Sequence, residues 1–194
     1  DLSETIRAYL NSGIRAPDGS ALIPYAWQMR AAVDGGTGAF RDGGQRPGSP
    51  NVSRVRLADL DGDGDLDALA LHNLDPAQVW INQGGAQGGT PGVLASSGQS
   101  LGGGEILRDG ALGDLDDDGD LDLMFAIDGT SGNQVWINQG GDQGGTPGVF
   151  ADSGQRLSNL TTYAVTLGDL DGDGDLDAVA ANGGPSVVDS INQV

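Results

Sequence analysis

The stretch DLDGDGDLD at residues 59–67 decides the fold of this chain, because close copies of it recur at a fixed spacing. DLDDDGDLD occupies residues 114–122 and DLDGDGDLD occupies residues 169–177, so consecutive copies begin 55 residues apart. A second marker, VWINQGG, starts at Val79 and again at Val135. Self-similarity at a fixed period indicates a repeat architecture. The chain is therefore predicted to consist mainly of tandem copies of one structural unit.

Each repeat is predicted to contain four short strands, A to D, separated by turns rich in Gly and Pro. Strand A precedes the Asp-rich stretch, and strand B follows it. Strand C carries the VWIN sequence, and strand D is placed at residues 92–95 and 148–151. Four antiparallel strands per repeat are typical of a propeller blade. We predict an all-β, β-propeller-like fold of about three four-stranded antiparallel blades, with the Asp-rich loops between strands A and B.

The alternating aspartates of each loop match the ligands that Ca²⁺ prefers, which are roughly six to eight oxygen atoms. Positions 1, 3, 5 and 9 offer carboxylates, position 7 offers its backbone carbonyl, and Gly at position 6 permits a sharp turn. An EF-hand would need Glu at position 12, where Ala70, Phe125 and Ala180 stand within predicted strands. Zinc would need His or Cys, whereas the chain has one His and no Cys. The sequence therefore predicts three Ca²⁺ sites. Their predicted residues are Asp59, Asp61, Asp63, Asp65, Asp67, Asp114, Asp116, Asp118, Asp120, Asp122, Asp169, Asp171, Asp173, Asp175 and Asp177.

The negative charge of the chain concentrates in these loops. The net charge is −19, there is no Lys, and 16 of the 26 Asp residues lie in the three nine-residue stretches. A surplus of negative charge repels nucleic acids and anionic membranes. The sequence also lacks an apolar run of about 18 residues that could span a membrane. Nucleic-acid binding and membrane insertion are therefore not expected.

The Asp-rich loops, together with the LDALA, LDLMF or LDAVA strand that follows each of them, resemble the FG-GAP/VCBS repeats of integrin-α-like β-propellers. The resemblance covers about residues 36–194. It implies that each loop joins two strands of a blade and binds Ca²⁺ through the positions named above. Propellers of that family usually have about seven blades, whereas this chain has three loops.

Residues 1–35 do not match the repeat, so two regions are predicted. Residues 36–194 form the FG-GAP/VCBS-like β-propeller repeats, and residues 1–35 form an N-terminal extension. In the extension, Ser3 is placed to cap a short helix, and the alternation from Tyr25 to Ala31 predicts a strand. The extension is interpreted either as a docking arm for a neighbouring subunit or as an extra strand of the first sheet.

The first and last residues of the sequence do not coincide with the predicted boundaries of a blade. The chain ends within strand C of the third repeat, while a spare strand D is predicted at residues 36–40. Unpaired strand edges invite pairing with another chain. Head-to-tail strand complementation into a closed ring or an open filament is therefore expected. The alternative is that the sequence is a fragment of a larger propeller.

Other side chains give weaker functional signals. Trp80 and Trp136 occupy the same repeat position, which favours packing between blades over stacking on sugars. His72 stands alone and is predicted to lie at the surface. Asn51 and Asn159 begin N-glycosylation sequons in the connections between strands D and A. Because identical sites in every repeat suit a structural role, no catalytic residue and no enzyme activity are predicted.

The predicted function is that of an extracellular or cell-surface calcium-binding protein with a structural or adhesive role. The reason for this location is that millimolar external calcium fills even weak sites. The expected partners are copies of the chain itself, another extracellular protein or a glycan. One alternative is a ligand- or carbohydrate-binding propeller fragment of a larger adhesin or receptor. A third class is a secreted enzyme whose catalytic residues lie on another part of the chain.

Overall fold

The structure is a computed structural model that describes residues 4–9, 26–31, 42–47, 51–183 and 189–191. The chain divides into two compact units, Asp1–Gly43 and Gly44–Val194. Apart from two short 3₁₀ turns, every described element of regular structure is a β-strand. The prediction of an all-β fold is therefore confirmed for this part of the chain.

The first unit contains one antiparallel pair of strands, β1 (Glu4–Tyr9) and β2 (Ala26–Ala31). The strand predicted from the alternation in the second of these segments is confirmed, whereas the helix predicted after Ser3 is wrong. Thr5 and Ile6 are β-branched and favour extended backbone, and β2 pairs with β1 along one edge. The spare strand D predicted at residues 36–40 lies outside the described residues.

The second unit begins with a four-stranded antiparallel sheet, which we call sheet 1. Its strands follow chain order, so that each pairs with the next. The Asp-rich loop that begins at Asp59 joins its first two strands, as predicted. The strands are β3 (Val52–Ala58), β4 (Asp67–His72), β5 (Ala77–Asn82) and β6 (Leu94–Leu101).

The next two repeats form sheets with the same strand order. Sheet 2 has four strands, and sheet 3 has three strands among the described residues. Both again place the Asp-rich loop between their first two strands, so the sheets follow the 55-residue repeat of the sequence. The strands of sheet 2 are β7 (Ile106–Gly113), β8 (Asp122–Asp128), β9 (Asn133–Asn138) and β10 (Phe150–Leu157). Those of sheet 3 are β11 (Thr162–Gly168), β12 (Asp177–Asn182) and β13 (Asp189–Ile191).

The fourth strand of sheets 1 and 2 lies further along the chain than the sequence predicts. Strand D is predicted to start at Gly92 in the first repeat, but β6 starts at Leu94 and runs on to Leu101. Within β6 and β10 the pairing register shifts around a Gly-Gln pair. Gly98 has a φ of 79° and Gly154 a φ of 78°, a conformation that glycine adopts readily. The pair therefore forms a bulge inside the strand.

Sheets 1 and 2 stack face to face and bury a first apolar cluster. Leu69, Leu71 and Val79 of sheet 1 pack with Leu123 and Phe125 of sheet 2. All five side chains are fully buried. Burying one such side chain contributes roughly 1.5–3 kcal/mol, so this contact is a main source of stability for the pair of sheets.

The other face of sheet 2 packs on sheet 3 and buries a second cluster. Because side chains alternate along a strand, Met124 and Ala126 of β8 point away from sheet 1. Together with Val135 they pack with Val165 and Ala178 of sheet 3. The three sheets therefore form a stack in chain order, and one type of contact between sheets is used twice.

Two glutamines that each follow a glycine, Gln45 and Gln99, bond to the start of a fourth strand about fifty residues further along the chain. The Gln99 Nε2 donates a hydrogen bond to the carbonyl oxygen of Gly148 at 2.7 Å, and the Gln99 Oε1 accepts one from the Phe150 N–H at 2.8 Å. Gln45 makes the same two bonds to the start of β6, both at 2.7 Å. Each hydrogen bond of this kind contributes about 1 kcal/mol. This glutamine clamp fixes the start of β6 to the segment before sheet 1 and the start of β10 to sheet 1.

His72 is an exception to the sequence-based expectations. It is predicted to lie at the surface, but the side chain is fully buried. His72 is the last residue of β4 and lies opposite Val52 of β3. Because side chains alternate along a strand, His72 lies on the same face of β4 as Ala68 and Ala70, which are also buried.

Candidate metal centre

The ninth residue of each Asp-rich loop is also the first residue of a central strand, and it anchors the loop to the sheet. Asp67 is fully buried, and its carboxylate accepts hydrogen bonds from the N–H of Leu60 at 2.8 Å and of Asn82 at 2.7 Å. Asp122 accepts the two equivalent bonds at 2.9 and 2.8 Å. The closing aspartate therefore fixes the start of the loop and the end of the third strand to one point.

The first residue of the loop holds the turn from the other side. The Asp59 carboxylate accepts hydrogen bonds from the N–H of Asp63 at 3.1 Å and of Gly64 at 2.9 Å. Asp114 accepts the two equivalent bonds at 3.1 and 3.0 Å. Gly64 has a φ of 95°, which explains the glycine at position 6. The turn thus directs several carboxylates toward one centre.

Three carboxylates converge in every loop. One oxygen from each of positions 1, 3 and 9 lies within 4.8 Å of the other two. Two oxygens bound to one Ca²⁺ are separated by at most about 5 Å, because each Ca–O distance is about 2.3–2.6 Å. The spacing is therefore compatible with ligands of a single ion. The clusters are Asp59, Asp61 and Asp67; Asp114, Asp116 and Asp122; and Asp169, Asp171 and Asp177.

The side chains at positions 5 and 7 have other surroundings. The Asp63 carboxylate, predicted as a ligand, accepts hydrogen bonds from the N–H of Asp65 at 3.0 Å and of Ala86 at 2.8 Å. Asp65, predicted to offer its carbonyl, has both carboxylate oxygens buried without a hydrogen-bond partner. Both carboxylate oxygens of Asp120 and one of Asp61 are likewise buried without a hydrogen-bond partner. Of the five positions predicted to bind the ion, only positions 1, 3 and 9 therefore share one cluster of carboxylates.

The partnerless oxygens fit a bound cation. An ionised carboxylate that is shielded from water and has no donor is costly. A divalent cation removes this cost, and it also offsets the repulsion between neighbouring carboxylates. The donor set consists of oxygen alone, which suits a hard ion such as Ca²⁺ better than zinc or copper. The residues present therefore fit the ion that the sequence predicts.

A second loop lies over each of the first two Asp-rich loops. It joins the third and fourth strands of its sheet, and we call it the cover loop (residues 83–93 and 139–149). Each cover loop contains a 3₁₀ turn, at Gly85–Gln87 or Gly141–Gln143. The glutamine that ends the turn donates a hydrogen bond to position 3 of the Asp-rich loop, to Asp61 and Asp116 respectively. The cover loop thus contacts a residue of the three-carboxylate cluster.

Two consecutive glycines allow this close approach. A Cβ atom at Gly84 would overlap the Asp65 carboxylate, and one at Gly85 would overlap the Asp63 carboxylate. The glycines at positions 140 and 141 meet the second Asp-rich loop in the same way. Any larger residue would push the two loops apart, so the double glycine is needed for the cover loop to close.

A buried asparagine at the end of the third strand holds the cover loop in place. The Asn82 Oδ1 accepts a hydrogen bond from the Gly92 N–H at 2.8 Å, and its Nδ2 donates to the Leu66 carbonyl at 3.1 Å. Asn138 also donates to the carbonyl oxygen of Leu60 at 3.0 Å. This last bond joins the second repeat to the Asp-rich loop of the first.

Sequence reasoning missed the cover loops and these asparagines. Their signal was present, because residues 83–93 and 139–149 differ at a single position, where Ala86 corresponds to Asp142. A turn alone requires only a few glycines and prolines. Near-identity over eleven residues instead indicates contacts along the whole loop.

Burial and mutual repulsion change the pKa values of the loop carboxyls. Burial raises the pKa of Asp120 to about 6, and the charge of Asp118 adds to this effect. Burial also raises the pKa of Asp122 to about 6, although two backbone N–H groups oppose the shift. The pKa values of Asp61 and Asp65 are raised first by burial and then by neighbouring carboxylates. Without a cation, the loops therefore resist full ionisation.

The third Asp-rich loop has the same backbone pattern with less cover. Asp169 accepts hydrogen bonds from the N–H of Gly172 at 2.6 Å and of Gly174 at 3.2 Å. Asp169 and Asp171 are exposed, whereas the equivalent residues of the first loop are half-buried. Among the described residues, the donors to its carboxylates belong to the loop itself.

The remaining candidate residues of the sequence lie where their patterns place them. Trp136 packs against the first apolar cluster, in agreement with the predicted packing role. Asn51 and Asn159 are exposed in the connections that precede β3 and β11, and their glycosylation stays a prediction. In the described part of the chain, no helix has the length and apolar character needed to cross a membrane.

Two overlapping matches to the FG-GAP-like repeat cover residues 59–125 and 114–180. The chain belongs to the FG-GAP-like repeat family. Repeats of this family indicate a β-propeller-like repeat domain and are typical of extracellular or adhesion proteins. They are generally structural or adhesive rather than enzymatic. No curated protein matches this FG-GAP repeat chain in sequence.

Proposed function

We propose that this FG-GAP repeat chain is a calcium-binding structural or adhesive module of the extracellular space or cell surface. Each of its three Asp-rich loops holds one Ca²⁺. The observation that carries the proposal is the pair of partnerless, buried carboxylates at Asp65 and Asp120, each beside a cluster of three converging aspartates. Membership of the repeat family supports it, because such repeats are typical of extracellular or adhesion proteins.

The contacts of the closing aspartate explain why an ion in the loop stabilises the whole sheet. Asp67 is a member of the carboxylate cluster and the first residue of β4. It also accepts a hydrogen bond from Asn82 at the end of β5. An ion bound by Asp67 therefore couples the loop to two strands. A ligand that binds only the folded state stabilises that state in proportion to its saturation.

The calcium concentration outside cells is high enough to fill such sites. Calcium sites with dissociation constants of roughly 0.1–1 mM are filled by extracellular calcium. A chain with a net charge of −19 also gains from cations that reduce the repulsion within its loops. Both considerations support an extracellular or cell-surface location.

The proposed partners are copies of the chain itself, another extracellular protein or a glycan. Strand complementation through residues 36–40 stays a prediction, because these residues lie outside the described part of the chain. Stacking of sugars on the repeated tryptophans is less well supported, since Trp136 packs between sheets 1 and 2.

The test is a thermal melt of the purified chain with saturating calcium and after calcium removal. A ligand at a hundred times its dissociation constant stabilises by about 2.7 kcal/mol per site. In a chain of this size each kcal/mol shifts Tm by about 2–4 °C. We expect a midpoint higher by at least several degrees in calcium, and calorimetric titration should show three ions per chain.

The matched control replaces position 3 of every loop, in the triple variant Asp61→Asn, Asp116→Asn and Asp171→Asn. Its midpoint should respond little to calcium, because each cluster has lost a charged ligand. If the unmodified chain melts at the same temperature with and without calcium, the proposal is wrong.

A further inference from the structure

The first two Asp-rich loops are joined by a short chain of hydrogen bonds. In the second cluster, the Asp122 carboxylate accepts a bond from the Asn138 N–H at 2.8 Å. The Asn138 Nδ2 donates to the Leu60 carbonyl oxygen at 3.0 Å. The Leu60 N–H in turn donates to the carboxylate of Asp67, a member of the first cluster, at 2.8 Å. Asn138 and Leu60 therefore connect a carboxylate of one cluster to a carboxylate of the other.

The side chain of Asn138 has little freedom to leave this position. It is fully buried, and its Nδ2 makes a second bond, to the carbonyl oxygen of Leu121 at 3.2 Å. Its Oδ1 accepts bonds from the N–H of Gly140 at 3.4 Å and of Gly148 at 2.9 Å. Both sides of the amide group are therefore occupied. Moving Asn138 away from Leu60 would leave buried polar groups without partners, which is costly.

The second cover loop makes another connection between the two clusters. Its Gln143 donates a hydrogen bond to Asp116 of the second cluster. Near the end of the same loop, Gly148 lies against the first Asp-rich loop, because a Cβ atom there would stand 3.1 Å from the Cβ of Asp61. Gly92 is the equivalent glycine of the first cover loop, and no described residue lies within 4 Å of such an atom there. The second cover loop thus contacts residues of both clusters.

We propose that the first two calcium sites are coupled, so that filling either site raises the affinity of the other. The inference rests on the proposed function, since it concerns the calcium sites named there, and it identifies Asn138 as the residue that carries the coupling. With the second site filled, Asp122 holds the end of β9 in place, and Asn138 transmits this order to Leu60. A loop that is already ordered loses less conformational entropy when it binds its own ion. The effect is reciprocal, because coupling changes both affinities by the same factor.

Charge alone would give coupling of the opposite sign. A filled site is less negative than an unfilled one, which lowers the attraction of its neighbour for a second cation. Salt screens this contribution, with a Debye length of about 8 Å at physiological ionic strength. Screening has much less effect on the buried hydrogen bonds of Asn138. We therefore expect positive coupling at physiological salt and a larger coupling factor at higher salt.

The experiment follows each site separately by NMR during a calcium titration at two salt concentrations. The amides of Gly64 and Gly119 donate to position 1 of their own loops, so their chemical shifts report the filling of the first and second sites. Every protein carries Asp171→Asn, which weakens the third site. Removal of the second site by Asp116→Asn should weaken calcium binding at the first site at least about fivefold. Asp61→Asn should weaken the second site by the same factor.

The variant Asn138→Ala tests the route of the coupling. It should abolish the ratio between the first-site affinities measured with and without Asp116→Asn. The matched control is Asn82→Ala, because Asn82 holds the first cover loop by equivalent bonds that stay within its own repeat among the described residues. The control should lower the affinity of the first site but keep the ratio. Each titration of a protein with an intact second site continues until the Gly119 signal stops shifting.

Two results would overturn the inference. One is a first-site affinity that is as high without the second site as with it, a comparison that needs no change at Asn138. The other is a ratio that survives Asn138→Ala, because the coupling would then follow another route. In both cases the proposed function stands if the amides of Gly64 and Gly119 still respond to calcium, whereas the absence of any response would count against the proposed function. A thermal melt shows whether each variant is folded.

Discussion

The first and third Asp-rich loops have the same nine residues but different surroundings. In the first loop the cover loop donates hydrogen bonds to Asp61 and Asp63, and the closing residue Asp67 accepts two backbone N–H bonds. In the third loop Asp169 and Asp171 are exposed, and the described donors belong to the loop. Identical motifs therefore have unequal burial.

This difference in burial shows that the motif brings the carboxylates together, whereas the surrounding fold determines how far they are shielded from water. The motif brings positions 1, 3 and 9 together in all three loops, because this depends on local turns. Desolvation of the carboxylates depends on a second segment that lies over the loop. Burial strengthens electrostatic interactions with an ion, so the covered sites should differ from the third site in stability and affinity.

The largest expected difference concerns the closing aspartate. Asp67→Ala leaves two backbone N–H groups without an acceptor, and each buried unsatisfied group costs about 1–3 kcal/mol. We expect Asp67→Ala to lower the free energy of unfolding by about 3 kcal/mol and Asp171→Ala in the third loop by clearly less, because the Asp171 side chain is exposed. Urea denaturation of calcium-free protein measures both. Equal losses would contradict a stabilising role for the buried bonds of Asp67.

Calcium affinity should divide the three sites into two classes. We expect the first two sites to bind at least about tenfold more tightly than the third, a difference of about 1.4 kcal/mol. The physical reason is that the cover loops shield the carboxylates of these sites from water and hold their orientation. Calorimetric titration should therefore show two tight ions and one weak ion per chain, whereas three equal affinities would count against this explanation.

A pair of glycine variants sharpens the same comparison. Gly84→Ala should weaken the first site toward the affinity of the third, because the added methyl group overlaps Asp65 and lifts the cover loop. Gly168→Ala is the matched control, since nothing lies within 4 Å of the added atom and Ala58 occupies the equivalent position in the first repeat. The control should bind calcium normally.

The smallest expected effect is a pH dependence of the calcium-free protein that arises in the second covered loop. The pKa values of Asp120 and Asp122 are about 6 in the folded chain, whereas an unfolded Asp has a pKa of about 3.9. The folded state therefore binds protons more tightly, and this stabilisation is present below about pH 4 and lost as pH rises through about 6. We expect the melting midpoint to fall over that window.

With calcium the trend should reverse, because protons compete with the ion for the same carboxylates. Asp120→Asn should flatten part of the slope in calcium-free protein. Asp142→Ala, which gives the second cover loop the sequence of the first, should leave the slope unchanged. A midpoint independent of pH in the calcium-free chain would show that the carboxyls are not shifted.

The success of sequence reasoning differed among the elements of the fold. The Asp-rich loops lie between the first two strands of each sheet because the motif and the following apolar strand are local patterns. Strand D was predicted at residues 92–95, whereas β6 continues to Leu101, because the bulge at Gly98 within it depends on pairing with β5. The strand at Glu4–Tyr9 was predicted as a helix, because its partner lies more than fifteen residues away.

The candidate site shows the same division. The clusters of positions 1, 3 and 9 contain residues predicted from the motif. One of the two hydrogen bonds that Asp63 accepts was not predictable, because its donor Ala86 lies in another loop. Contacts between repeats, such as those of Gln99, were visible in the sequence only as a repeated Gly-Gln pair without a known role.

By itself the sequence determined the repeat, the all-β class and the turns that bring three carboxylates together in each loop, because these follow from periodicity and local backbone preferences. Only the tertiary structure decided which loops are covered, which carboxylates are left without a partner and which sheet faces stay exposed. These properties depend on segments distant in sequence that meet only when the sheets stack. The three closely similar motifs thus differ in how deeply their carboxylates are buried among the described residues.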